Sequence, residues 1–391
     1  SGAGVNISAA SLNGTTTGAN GTVSIVGTSN TGTGIRVAQN ITANNINITG
    51  YAAGSGAGVT FVNGNQALSG NTSILGSSAQ GVGLSFAGGN VTINSTASNT
   101  SYITGITGNS TCSTVYGLNL SSLPVNITQN GGRVIWSGTG NAGAGVFIGN
   151  GTSNISLTLA NTTISGSSNS SAGILVCTSA NIALAGVTLI GNSSTGPAIN
   201  ISAGAGTGAG AVSLAANSTI NTTGILLISA NTSNLLNTTA VSLSGNMTAT
   251  NTSSNITGRA NGTGIGVNLV SGNQTLAGNI AGATINGTGV QITGANLIVS
   301  TFLNIAANAS ATGLGFNQTS GNITGTGALT INANQASTLG AINLTTASGI
   351  LLANVTNGNL TLNGNLSAGS SITLMADRKS TRLNPVTLDD L

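Results

Sequence analysis

The chain has 391 residues but almost no charge: six Lys or Arg, three Asp or Glu, and no His. Charged residues make up 2% of the sequence, against roughly 25% in an ordinary soluble domain, while 39% of the residues are apolar. This composition excludes charge-rich disorder, a collagen helix, which needs far more than three Pro, and any site that uses histidine as a base or zinc ligand.

The few charges are unevenly placed. Residues 1–376 contain only Arg36, Arg133 and Arg259 and no acidic residue, so the net charge of +3 comes from scattered arginines. Nucleic-acid binding needs clustered Lys and Arg, and polysaccharide-cleaving β-helices need carboxylates. We therefore predict no nucleic-acid partner, no catalytic or metal-binding residue, no cofactor and no enzyme activity.

A glycine-rich repeat starts at the first residues and continues along the chain. Its unit is Gly-x-Gly followed by aliphatic-x-aliphatic, and a small residue before each aliphatic anchor suits a tight corner. The thirteen anchors, most of them 24 to 28 residues apart, are Val5, Ile35, Val59, Leu84, Leu118, Val146, Ile174, Ile199, Ile225, Ile265, Val290, Leu314 and Ile342. The interval from Ile225 to Ile265 is long enough to contain an unrecognised repeat, and a repeat already in register at residue 5 suggests a piece of a longer rod.

Between the anchors, apolar and polar residues alternate with a period of two. The segment 154–159 places Ile155, Leu157 and Leu159 on one face, which is typical of a short half-buried strand. We predict an all-β fold, a right-handed parallel β-helix (β-solenoid) of about 13 or more coils of roughly 24–28 residues. Residues 1–376 would form this single repeat domain, with apolar ladders inside and Asn, Ser and Thr outside.

The two cysteines, Cys112 and Cys177, leave two interpretations open. Two to three predicted coils separate them, about 10–15 Å along the rod, whereas a disulfide needs Cα atoms within about 7 Å. Cys112 lies in one of the longer repeats, so a loop could bring it to Cys177. The alternative is two separate thiols.

Sequons of the form Asn-x-Ser/Thr are the strongest local signal, since 35 of the 53 Asn belong to one. Alternation accounts for sequons with an aliphatic or Met centre, because Asn and Thr two residues apart share the outward face of a strand. The others need another cause, and we interpret them as sites of N-glycosylation. The candidate acceptors are Asn13, Asn20, Asn150, Asn161, Asn221, Asn237, Asn261 and Asn286.

Two further patterns admit a binding interpretation. Arg133 and Trp136 could grip a sugar by stacking, or they could be an ordinary pair on a strand. The segments 31–33, 250–252 and 324–326 each read Thr-x-Thr, which would suit a flat ice- or polysaccharide-binding face if such pairs stacked in register.

The segment from Ser348 to Leu374, with its short apolar pairs separated by Gly, Asn and Ala, resembles bacterial adhesins of the filamentous-haemagglutinin and autotransporter-like type, and 264–344 is similar in style. The resemblance implies a non-catalytic, secreted or surface-anchored adhesive stalk. It also implies an extracellular, outer-membrane-associated location, export by an outer-membrane partner, and adhesion to surface glycans or proteins, with simple sugars on the sequons. Members of that family usually carry more charge and an N-terminal secretion domain, which is not seen here.

Other functions remain open beside the adhesive one. The alternatives are an ice- or polysaccharide-surface binder and, with less support, a β-helix enzyme acting on carbohydrate. End-to-end or lateral self-association is also open.

Residues 377–391 differ from the repeat: they contain most of the charged residues and no Gly-x-Gly motif. Asp377–Asn384 resembles the in-frame translation of a DNA-sequencing adapter; the other interpretation is a polar C-terminal cap. We expect a non-repeat tail that is artefactual or disordered and, if it is artefactual, a natural protein that continues beyond Ala376.

Overall fold

The computed structural model describes most of the chain. The described residues are 2–8, 12–14, 22–88, 91–94, 100–108, 115–120, 127–130, 132–149, 155–178, 182–195, 197–206, 210–216, 218–232, 238–310, 312–346 and 348–377. They form strands, turns and bends and no helix, which confirms the predicted all-β class. The tail predicted for 377–391 lies outside these residues except for Asp377.

The strands are short and follow one another through tight turns. In the first half of the chain they are β1 (Val5–Ile7), β2 (Leu12–Gly14), β3 (Thr22–Ser29), β4 (Ile35–Val37), β5 (Ile41–Ala43), β6 (Asn45–Ala52), β7 (Val59–Phe61), β8 (Gln66–Ser69), β9 (Thr72–Ser78), β10 (Leu84–Phe86), β11 (Val91–Asn94), β12 (Thr100–Thr107), β13 (Leu118–Leu120), β14 (Ile127–Asn130), β15 (Arg133–Gly140), β16 (Val146–Gly149), β17 (Ile155–Ser168), β18 (Ile174–Thr178) and β19 (Ile182–Ser193). In the second half they are β20 (Ile199–Gly206), β21 (Gly210–Leu214), β22 (Thr219–Thr222), β23 (Leu226–Thr232), β24 (Thr239–Leu243), β25 (Asn246–Ala249), β26 (Asn255–Arg259), β27 (Ile265–Leu269), β28 (Asn273–Thr284), β29 (Thr288–Ile292), β30 (Asn296–Ala309), β31 (Leu314–Gln318), β32 (Asn322–Gly325), β33 (Ala328–Ala333), β34 (Ser337–Leu339), β35 (Ala341–Leu344), β36 (Ile350–Val355), β37 (Leu360–Leu362), β38 (Leu366–Ala368) and β39 (Ser371–Ala376).

The strands stack into three parallel ladders, and each coil contributes one strand to each ladder in turn. The first ladder runs β1, β4, β7, β10, β13, β16, β18, β20, β23, β26, the second halves of β28 and β30, β33, β36 and β39. The second consists of two runs that meet where β14 packs against β17. The first run is β2, β5, β8, β11 and β14, and the second is the first halves of β17 and β19, β21, β24, β27, β29, β31, β34 and β37. The third contains β3, β6, β9, β12, β15, the second halves of β17 and β19, β22, β25, the first halves of β28 and β30, β32, β35 and β38. The predicted β-solenoid is confirmed.

Alternation along each strand separates the inside from the outside. In β6, for example, Ile46, Ile48 and Ala52 are buried, whereas Asn47 and Tyr51 are exposed. Because strand side chains alternate between the two faces, the buried residues of successive coils meet in columns inside the solenoid. The inward columns form one continuous apolar cluster. This interior is what the sequence predicted for the apolar residues.

The predicted alignment of the Gly-x-Gly anchors in one ladder is confirmed in the first part of the chain and wrong in the second. From Val5 to Ile199 the anchors do lie in register in the first ladder. Beyond Ile199 the register partner is Leu226 rather than Ile225, and β26 forms the coil that the 40-residue interval concealed. Ile265 lies in the second ladder, where Val290 pairs with Val267.

The register change reflects a move of the tight corner. In β3–β19, which we call the N-terminal section, Gly-x-Gly lies where the third ladder turns into the first. In β26–β36, the C-terminal section, it lies where the first ladder turns into the second. The repeat spacing assigns every Gly-x-Gly motif to the same ladder. In the structure the motif instead lies at the tight corner, whichever two ladders that corner joins.

Candidate functional site

A column of glycines forms the tight corner of the N-terminal section. Seven third-ladder glycines stand in register: Gly27, Gly50, Gly76, Gly105, Gly138, Gly166 and Gly191. A Cβ added to Gly50 would lie 2.2 Å from the carbonyl oxygen of Gly58, and one added to Gly138 would lie 2.0 Å from that of Gly145. Only glycine lets the backbones on the two sides of the corner approach this closely.

A hydroxyl two residues after the glycine secures the same corner. Ser78 Oγ donates to the carbonyl of Gly56 at 2.7 Å and accepts from the N–H of Gly81 at 2.8 Å. Ser168 makes the equivalent bonds to Gly143 and Ser171, at 2.9 and 3.1 Å. These bonds satisfy the polar backbone of a sharp turn, so the corner holds the ends of the third-ladder strands in place.

The outward face of these third-ladder strands carries hydroxyl, aromatic and aliphatic side chains in three columns. We call it the hydroxyl–aromatic face; it consists of Ser24, Val26, Thr28, Asn47, Thr49, Tyr51, Ser73, Leu75, Ser77, Tyr102, Thr104, Ile106, Ile135, Ser137, Thr139, Thr163, Ser165, Ser167, Thr188, Ile190 and Asn192. Tyr102 is 52% exposed and Tyr51 is 46% exposed. Two hydroxyl contacts link neighbouring strands, Thr104 to Ser137 at 3.0 Å and Ser167 to Thr139 at 3.4 Å.

This face bears no charged side chain. The nearest charged residue in sequence is Arg133, exposed at the start of β15 and just outside the three columns. Arg36 lies on the first ladder, where its guanidinium donates to Asn6 Oδ1 at 3.3 Å. The three columns are therefore electrically neutral, although Arg133 stands at their edge on the same outward side as Ile135. Their chemistry consists of hydroxyl dipoles, the amides of Asn47 and Asn192, two phenol rings and aliphatic groups.

The C-terminal section presents a different exterior, built on asparagine stacks. Asn304 Nδ2 donates to Asn279 Oδ1 at 3.3 Å, and Asn332 Nδ2 donates to Asn304 Oδ1 at 3.3 Å. A second stack joins Asn296 Nδ2 to Asn273 Oδ1 at 3.2 Å. These amides satisfy one another from coil to coil, which leaves a polar coat in which Phe302, on β30, is the exposed ring.

The structure corrects one predicted sugar contact. Trp136 is only 1% exposed and packs edge-on against Phe86, at 5.7 Å between ring centroids. Its Nε1 is buried and has no hydrogen-bond partner, while Arg133 is exposed on the opposite side of the strand. Trp136 cannot stack on a bound sugar; it is a core residue, because its position falls on the inward side of the alternation.

The Thr-x-Thr segments do not form a stacked array. Thr31 and Thr33 lie in a turn, as do Thr250 and Thr252. Thr324 is on β32, where it pairs with Ile298 and Asn343 rather than with threonines. The surface that the structure does show is the hydroxyl–aromatic face, which was not predicted from the sequence. Its signal was the recurring motif apolar-x-Gly-x-small, as in Ile74–Ser78.

The candidate glycan acceptors are described in part. Asn221 is exposed on β22, Asn286 is exposed in a turn, and Asn261 is half-buried. Asn13 and Asn161 lie on β2 and β17, and nothing is described of their side chains. The remaining acceptors, Asn20, Asn150 and Asn237, lie outside the described residues, and occupancy of all eight stays a prediction.

The structure describes only one of the two cysteines. Cys112 lies outside the described residues, and Cys177, half-buried on β18, forms no bridge within them. Burial raises the pKa of the Cys177 thiol. Burial, and after it the charge of Cys177, raises the pKa of Tyr116, whose ring stacks on Phe147 at 4.3 Å. The disulfide and the two separate thiols therefore both stay open as predictions.

Comparison with known proteins adds no family. No family model, curated protein or solved structure matches the chain. Within the described part of the chain, no three His, Cys, Asp or Glu side chains group as metal ligands, and no helix could cross a membrane.

Proposed function

We propose that this chain is a non-catalytic, adhesive β-solenoid stalk that acts outside the cell, at its surface. The observation that carries the proposal is the first ladder, which pairs strand to strand from β1 to β39. Such a ladder makes a stiff, extended scaffold with side chains repeated in columns along it. A repeated surface of this kind suits adhesion, because many weak contacts in a row add up to strong retention.

The exterior chemistry supports the same proposal. Residues 1–376 offer no Asp, Glu, His or Lys, so the general acid and base of a carbohydrate-cleaving β-helix have no candidates there. The surface is instead coated by Asn, Ser and Thr, which form hydrogen bonds with neutral partners. The resemblance of 348–374 to filamentous-haemagglutinin-type adhesins supports the same function and export through an outer-membrane partner.

Sugar modification of the sequons belongs to the proposal. Asn221 and Asn286 are exposed, so an oligosaccharide transferase could reach both. An attached sugar is bulky and solubilising, and it would keep water around a rod that has almost no charge.

Adhesion is tested with the purified chain coupled to microspheres under controlled flow. The spheres should resist detachment from epithelial cells or from a polysaccharide-coated surface, whereas albumin-coated spheres should wash off. In parallel, the chain should release no reducing sugar from polysaccharides. Wash-off equal to that of albumin would contradict the adhesive role, and sugar release would contradict the non-catalytic one.

Glycosylation is tested on chain recovered from its native source. Intact mass should fall after treatment with a glycan-releasing enzyme. Thr223→Ala removes the sequon of Asn221 but keeps the asparagine, so peptide mapping should lose the sugar at Asn221 alone. Thr223→Ser is the matched control, since it changes the same exposed position but leaves that sequon intact. An unmodified wild-type mass would reject this part of the proposal.

A further inference from the structure

We propose that the hydroxyl–aromatic face of the N-terminal section binds an uncharged polysaccharide lying along the axis of the solenoid. This inference rests on the proposed adhesive function and deepens it, since it names the surface and the class of partner.

Exposed apolar groups are concentrated on this face. Of the exposed large apolar side chains in the described residues, Val26, Tyr51, Tyr102, Ile106 and Ile190 lie on it. An aromatic ring offers a flat apolar surface with a polar tip, the kind of surface on which the C–H side of a sugar ring can lie.

The apolar groups alternate with hydroxyls in the same columns. Tyr51 stands in register between Thr28 and Ser77, and Ile106 stands in register between Ser77 and Thr139. A partner that matches this surface must alternate C–H and O–H groups at short intervals. A sugar polymer does so, with the hydroxyls of the face as donors and acceptors.

The charge of the face selects among sugar polymers. Sulfated or carboxylated chains are bound through groups of Arg and Lys, whereas the three columns contain neither and the single Arg133 stands at their edge. Burying an anion against neutral hydroxyls without a cation would cost desolvation energy. The neutral face therefore fits a neutral polymer.

A second copy of this chain fits less well. Lateral packing of two β faces needs a dry, contiguous apolar centre, and here each exposed ring or aliphatic group has hydroxyl neighbours that would be buried with it. The dimensions suit an extended polymer better. Seven strands about 4.8 Å apart make the face about 29 Å long. The two outer columns are four residues apart along each strand, which makes the face about 13 Å wide.

The test is retention of the purified full chain on microcrystalline cellulose, chitin and insoluble β-1,3-glucan, with heparin–agarose as the anionic comparison. Wild type should be retained by at least one neutral polymer and not by heparin. The double variant Tyr51→Ser, Tyr102→Ser should bind about tenfold or more weakly. Tyr51→Phe, Tyr102→Phe should retain most of the affinity, because the rings remain.

The matched control is Phe302→Ser, which removes a ring that is 42% exposed but lies outside the face. It should bind like wild type. Emission from the buried Trp136 reports whether each variant is folded. Sedimentation velocity measures self-association. If the wild type assembles, the serine variant does not, and no neutral polymer retains the wild type, the proposal is overturned in favour of a second copy of the chain.

The adhesion assay separates this inference from the proposed function. Spheres that adhere equally with wild type and the serine variant, without retention on neutral polymers, overturn the inference alone. Tyrosine-dependent retention without adhesion of the spheres supports the inference and contradicts the adhesive role. Failure of both overturns both.

Discussion

The two sections of the solenoid have the same tight corner but place it on different sides. In the N-terminal section the corner column is glycine in all seven coils, and it joins the third ladder to the first. In the C-terminal section the column reads Gly258, Gly282, Ala307, Ala333 and Val355, on first-ladder strands. The corner therefore widens towards the C-terminus. The hydroxyl–aromatic face belongs to the N-terminal section, and the asparagine stacks belong to the C-terminal section.

The largest expected difference comes from a methyl group at the corner. Gly105→Ala would place a Cβ 2.1 Å from the carbonyl oxygen of Gly117, so we expect it to lower the free energy of unfolding by about 3 kcal/mol or more. The reverse change in the C-terminal section, Ala307→Gly, should cost only about 1 kcal/mol. Urea unfolding followed by Trp136 emission measures both. Equal costs would mean that the two corners are equally tight.

The corner hydroxyl should matter equally in both sections. Thr284 Oγ1 donates to the carbonyl of Gly264 at 2.9 Å and accepts from the N–H of Gly287 at 3.2 Å, as Ser78 does in the N-terminal section. Ser78→Ala and Thr284→Ala should each cost about 1–3 kcal/mol, because buried backbone groups lose their partner.

Ser77→Ala, on the outward side of the same strand, is the control and should stay within about 0.5 kcal/mol of wild type. If Ser78→Ala behaved like Ser77→Ala, the hydroxyl would not hold the corner.

Aromatic stacking is a smaller difference between the sections. Phe86 stacks on Phe61, with ring centroids 4.8 Å apart, and also contacts Trp136; no ring contact is described for Phe316. Phe86→Leu should therefore cost about 1 kcal/mol more than Phe316→Leu. Thermal and urea unfolding of the two variants gives the difference, and a larger cost for Phe316→Leu would contradict the interpretation.

The smallest expected effect is that of pH. Residues 1–376 contain no Asp, Glu or His, so stability should change little between about pH 3 and about pH 8. Above about pH 9 it should decline slightly. Burial raises the pKa values of Cys177 and Tyr116 above their ordinary 9.0 and 10.0, so the unfolded chain loses these protons first and is favoured as pH rises.

Urea unfolding from pH 3 to pH 10 measures the profile. Cys177→Ser with Tyr116→Phe should flatten the alkaline decline while leaving the acid side unchanged. A pronounced acid transition would contradict the account.

The sequence was sufficient for the fold but not for the register beyond Ile199. Period-two alternation and Gly-x-Gly spacing depend on local geometry, so they predicted strands, corners and a solenoid. The tight corner changes position near β20. That strand extends to Gly206 and pairs with β23 through a bulge between Ala203 and Ala205, a tertiary feature that repeat spacing does not encode.

The hydroxyl–aromatic face could not be predicted from the sequence, for a related reason. Tyr51 and Tyr102 are 51 residues apart, and no local motif joins them. They share a face only because two strand registers place β6, β9 and β12 side by side. Trp136 shows the reverse error: it was considered as a sugar contact by residue type, although alternation placed it inside.

Oxidative cross-linking through the register change tests the central claim most directly. The claim is that the first ladder continues without a break from β20 through β23 to β26, which places Ser229 beside Thr257. In a Cys112→Ser, Cys177→Ser background, cysteines at 229 and 257 should form a disulfide rapidly, since adjacent strands lie about 4.8 Å apart. Cysteines at 229 and 269 should not. A bridge from 229 to 269 and none from 229 to 257 would contradict the account, because it would follow the predicted Gly-x-Gly spacing, which aligns Ile225 with Ile265.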